Sequence, residues 1–109
     1  MIQQAPQILP REQPTGSTGS AFFFAVAVVV DPKDAPRVSV KAAPGSTGSV
    51  EVTAVEETLR EHDQRVVVFQ AEAERSQSAW WVAVVVECGA TLLTLDQVSV
   101  PALGGSGPA

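Results

Sequence analysis

His62 is the only histidine in the 109-residue chain, and it stands between Glu61 and Asp63 in the run "REHDQR". These are residue types from which a general acid–base pair or a metal site is made. Their spacing argues against both uses. Neighbours on a strand point to opposite faces, and no HExxH spacing or nucleophile-bearing elbow accompanies them. His62 therefore reads as part of a solvated turn. Cys88 sits on the apolar side of "WWVAVVVEC" with no cationic neighbour to favour its thiolate, so it reads as a small core residue rather than a nucleophile. A single cysteine forms no internal disulfide, so it neither demands nor excludes an oxidising compartment.

Glu56, Glu57 and Glu61 resemble the paired acids of a glycosidase only in number; no opposed acid or pocket is implied, and they read as a solvated stripe. The glycines lead into strands rather than helices, which is the wrong context for a phosphate-binding loop. No catalysis, cofactor or metal is expected.

Trp80 and Trp81 are the most informative pair. Adjacent strand residues face opposite ways, so one indole completes a core while the other faces outward. In "WWVAVVVE" the even positions Trp80, Val82, Val84, Val86 and Cys88 make the better core face. An outward Trp81 admits three readings: cover by the N-terminal segment, a partner protein, or a sugar ring stacked on the indole with Gln77, Ser78 and Glu87 nearby in sequence.

The elements that hold these residues are strands. Residues 21–30, "AFFFAVAVVV", are all apolar, as in a strand covered on both faces or covered on one and partnered on the other. "DPKDAP" turns the chain, and "RVSVKA" alternates apolar and polar residues. "RVVVFQAEAE" places Val67, Phe69, Ala71 and Ala73 on one face and Gln70, Glu72 and Glu74 on a wet one. "TLLTL" and "DQVSV" add two short strands. Residues 50–59 are ambiguous. Val50, Val52 and Ala54 alternate as in a strand, whereas Val55 and Leu59 are four apart, so a bulged strand is favoured and a helix over 54–61 is the alternative.

The stretch GSTGS occurs at 16–20 and again at 45–49, each time before a β-type run. An engineered linker, an internal duplication and a loop composition used twice all fit; nothing matches beyond the repeats, which favours the last. Before the first copy, Pro6, Pro10 and Pro14 alternate with Gln-rich segments, as in an extended arm, and Ile2, Ile8 and Leu9 give it something to bury.

The chain's size fits one domain. Its net charge is −5, and Lys33, Arg37, Lys41, Arg60, Arg65 and Arg75 are spread singly, which argues against a phosphate-tracking surface, so no nucleic-acid partner is expected. The N-terminus lacks the basic and apolar regions of a signal peptide, and the longest apolar run has ten residues where a spanning helix needs about 20, so a soluble chain without export signal is expected.

The order "HDQRVVVFQAEAERSQSAWWVAVVVECGATLLTLDQVSV" resembles the closing part of a galactose-binding-like jelly roll, the fold of many carbohydrate-binding modules. The resemblance rests on Arg65 to Phe69, Trp80 to Val86, Gly89 to Ala90, and Leu95, Asp96, Val98, Ser99 and Val100. Upstream, "GSAFFFAVAVVV" is similar to the family strand that follows a Gly-containing turn, with Phe where Tyr is usual. The likeness covers residues 16–101 loosely and 62–100 more closely. It implies a jelly-roll sandwich and carbohydrate binding. The family's calcium does not carry over, because its N-terminal carboxylate has no counterpart here and Asp96 alone falls far short of the roughly 6 to 8 oxygen ligands calcium takes.

The expectation is thus an all-β, small, antiparallel, jelly-roll-like sandwich over 21–101, with an extended arm over 1–20 and a Gly-rich tail over 102–109. Its expected function is non-enzymatic: an assembly protein such as a phage virion component, capsid-decorating or tail-associated. It would dock on protein subunits, most simply copies of itself, through Ile2, Ile8, Leu9, Phe22, Phe24 and Trp81. The alternative is an extracellular carbohydrate-binding module using Trp81, Gln77 and Glu87.

Overall fold

The computed structural model describes residues 2–10 and 21–102. These form eight strands: β1 (Gln7–Pro10), β2 (Ala21–Val30), β3 (Arg37–Ala42), β4 (Val50–Arg60), β5 (Arg65–Glu74), β6 (Trp80–Cys88), β7 (Thr91–Thr94) and β8 (Val98–Val100). Two antiparallel sheets result, one ordered β1-β2-β5-β4 and the other β3-β6-β7, with β8 continuing along β6 where β7 leaves it. The all-β sandwich expected from the sequence is what the chain forms.

Its connectivity is a separate finding. Four strands in the order 1-2-5-4 against three in the order 3-6-7 is the strand order of an immunoglobulin constant-type Greek key, with β7 and β8 together acting as the last strand. A jelly roll instead has eight strands in two Greek keys. The sandwich class holds, and the path of the chain through it differs.

Period-2 alternation builds the core. Phe24, Val26, Val28 and Val30 of β2 and Val67, Phe69, Ala71 and Ala73 of β5 face Trp80, Val82, Val84, Val86 and Cys88 of β6 and Val98 and Val100 of β8, all buried. The assignment of faces on β6 follows the sequence reading, with Trp80 at 3% exposure and Trp81 at 44%. β4 is a strand throughout, not a helix, and carries register shifts between Val52 and Ala54 and between Glu57 and Leu59. Such bulges place one extra residue against the partner strand and bend the edge.

The N-terminal segment differs from expectation. Ile8 pairs with Val26 and Leu9 with Ala25, Ile2 bridges Val30, and the Gln3 amide donates to the Val29 carbonyl at 2.8 Å. The segment expected to dock on a neighbouring subunit therefore lies along β2 of its own sheet, as the edge strand β1 over 7–10 and a bridge at Ile2. Prolines are compatible with that place because an edge strand bonds on one side only. The remainder of the expected arm, 11–20, and the tail from 103 lie outside the described residues.

At the other end, Glu57 joins Arg60 at 3.0 Å and Arg65 at 2.5 Å. Arg65 also donates to the Asp34 carbonyl and Arg60 to the Pro32 carbonyl. This cluster ties the turn between β2 and β3 to the β4–β5 hairpin.

Candidate functional site

The β3–β4 loop shows what the second GSTGS does. Ser46 N–H closes a turn on the Ala43 carbonyl at 2.8 Å, and Gly45 adopts φ +86°, a region that side chains disfavour. Gly48 lies flat against the Trp80 indole, whose Nε1 donates to the Glu74 carbonyl at 2.9 Å. Trp80 is thereby fixed from the β5–β6 turn and roofed by the β3–β4 loop. Both glycines of this copy have structural work, which is what a loop composition suited to its place would show.

The same two loops enclose a shallow cavity of about 210 Å³, lined in part by Ser46, Thr47, Ser76, Ser78, Trp80 and Trp81. The Trp81 amide donates to Ser46 Oγ at 3.2 Å, and Ser76 Oγ donates to the Ser78 carbonyl at 2.9 Å. The chemistry on offer is a half-exposed indole beside neutral hydroxyls. Gln77 lies exposed in the same turn but does not line the cavity. Glu87 shares the outward face of Trp81 but stands six residues along β6, or about 20 Å at ~3.3 Å per residue. The expected trio of Trp81, Gln77 and Glu87 is not brought together. The serines and Thr47 come from segments some thirty positions apart, so only the folded chain unites them.

The expected partner-binding residues are also redistributed. Phe24 is 2% exposed and belongs to the core, with its ring centroid 6.3 Å from that of Phe22. Phe22, Ile2 and Ile8 are partly buried and pack against the same core. They are unavailable as free anchors because the even positions of β2 face inward, and β1 adds Ile8 to that side. Leu9 lies half-buried on the opposite side, across from Ala25.

The outer face of the four-stranded sheet is apolar at its centre. Phe23, Ala27 and Val29 of β2 and Val66 and Val68 of β5 are half-buried there, and Leu59 of β4 is 40% exposed opposite Val66. The wet face expected for β5 is confined to Gln70, Glu72 and Glu74. The three consecutive valines 66–68 carried the signal, since a run without alternation supplies apolar groups to both faces.

His62 is exposed in the tight loop between β4 and β5, where Glu61 N–H bonds the Gln64 carbonyl at 2.8 Å. Cys88 is buried. Hydrogen bonds from Arg60 and then Arg65 hold the Glu57 carboxyl below its ordinary range, and a bond from Gln3 does the same for Asp31. Glu57 acts here as an ion-pair partner. Among the described residues no group of three or more His, Cys, Asp or Glu is arranged to hold a metal. Asp96 is exposed, beside a cavity bordered by Pro6, Ile8, Thr94 and Leu95. Compared with family models, with curated proteins and with solved structures, the chain finds no match in any of the three.

Proposed function

We propose that the chain is a non-enzymatic structural module that takes its place in a larger protein assembly, such as a phage virion. The supporting observation is the two-sided apolar character of β2 and the first part of β5. One side fills the core, and Phe23, Ala27, Val29, Val66 and Val68 form the centre of the outer face. An antiparallel sheet whose second face meets only water ordinarily alternates to polar residues there. Native mass spectrometry of the full chain tests this reading. Association into particles larger than a dimer, or capture by one, that is lost in Val68→Lys with the unfolding midpoint retained is the expected result. A monomer at all concentrations that no larger protein particle captures refutes it.

A second reading rests on Trp81. An exposed indole beside the hydroxyls of Ser46, Thr47, Ser76 and Ser78 suits a neutral sugar ring, in line with the carbohydrate-binding resemblance. Selective retention on a glycan array, abolished in Trp81→Ala, would establish it.

A further inference from the structure

The sandwich is unequal, four strands against three, and the edges left on one side are β3 and β4, which touch and are joined by the loop 43–49. The uncovered part of β4 shows in Val55, which shares the inward face with Phe69 yet is 60% exposed.

The two edges carry opposite charge in the same spacing. On the outward face β3 presents Arg37 and Lys41, and β4 presents Glu51 and Glu56, all exposed. The glutamates are five apart in sequence, but Glu51 pairs with Glu72 and Glu56 with Val68, so the bulge at Thr53 brings them to four steps, the separation of Arg37 and Lys41. Laid antiparallel, Lys41 meets Glu51, Val40 meets Val52, Ser39 meets Ala54, Val38 meets Val55 and Arg37 meets Glu56.

The backbone agrees with that register. Ala43 N–H bonds the Trp81 carbonyl, so by alternation the peptide groups of Lys41 and Ser39 face β6, while those of Val38, Val40 and Ala42 face away. The Ser49 carbonyl accepts from Glu74 N–H, so Glu51 faces β5 and Val50 and Val52 face away, as Val55 does after the bulge. The outward-facing peptide groups of the two edges therefore fall opposite each other.

We propose that the occupant of these edges is a second copy of this chain, bound by reciprocal pairing of β3 with the other copy's β4. β3 and β4 run in opposite directions, so a two-fold axis along the strands forms both junctions at once and closes the pair. Pairing β3 with β3, or β4 with β4, sets like charges together, which disfavours it. The arrangement rests on the assembly reading above but uses a different surface.

Sedimentation velocity of the full chain over a concentration series is the test, with folding of each variant checked by circular dichroism. Wild type forms a dimer that weakens as salt rises. Arg37→Glu/Lys41→Glu and Glu51→Lys/Glu56→Lys each raise the dimer Kd about 100-fold, with four ion pairs reversed across the two junctions. An equimolar mixture of the two variants, and the chain carrying all four substitutions, both recover the dimer. A wild type that stays monomeric, or a dimer that both reversals leave unchanged, overturns the proposal. Association lost in Val68→Lys but indifferent to the edge charges also overturns it, and leaves the outer-face reading standing.

Discussion

A Cβ at Gly48 would sit 2.5 Å from Cζ2 of Trp80, closer than any real contact. The indole cannot easily yield, since it is buried and its Nε1 is bonded to the Glu74 carbonyl. Gly48→Ala should therefore destabilise the fold by about 1 to 3 kcal/mol, the cost of overpacking. Urea unfolding measures it, and Ser49→Ala is a useful neighbouring control.

The two tryptophans should separate sharply. Trp80→Ala removes a buried side chain and is expected to cost about 3 to 5 kcal/mol, whereas Trp81→Ala, at an exposed site, should cost less than about 1 kcal/mol. Equal losses in chemical unfolding would contradict the assignment of faces.

Deleting residues 1–10 should destabilise the monomer itself. It strips Ile2 and Ile8 from the core and uncovers the edge of β2. Truncating a well-buried Ile costs about 2 to 5 kcal/mol, and these two are only partly buried, so a combined loss of at least about 2 kcal/mol is expected. A truncated chain that unfolds at the wild-type midpoint would place this segment's role elsewhere.

Acid should loosen the clamp between the β2–β3 turn and the β4–β5 hairpin. Glu57 titrates below its ordinary range because Arg60 and Arg65 bond its carboxylate. A carboxyl lowered in the folded state adds stability that is present above its unfolded value, about pH 4.3, and is lost as pH falls through the folded value. Wild type should therefore lose more stability than Glu57→Gln on going from pH 6 to pH 3, as thermal melts at several pH values would show.

How much was legible in advance follows from where alternation survives. β6 alternates without interruption, so its buried face could be read directly. β2 is apolar on both sides, which left its inward face undecided and made Phe24 look available to a partner. In β4 the bulge at Thr53 returns Val55 to the face of Val52 after three residues instead of two. The second shift, between Glu57 and Leu59, leaves Leu59 opposite Val66 on the outer face while Val55 lies opposite Phe69 on the inner one. The four-residue spacing of Val55 and Leu59 that imitated a helix thus joins residues on opposite faces of a bulged strand. Strand order leaves no trace in periodicity, since pairing partners are set by packing between distant segments. The cavity beside Trp81 was hidden for the same reason.

Cys88 is the sole thiol of the chain and lies buried at the end of β6. An alkylating reagent in solution can reach it only when that end of the sandwich opens, so the rate of labelling counts openings directly, without an introduced probe. The same burial means that a disulfide-linked pair on a non-reducing gel would come from opened chains, whatever the folded chains do with each other.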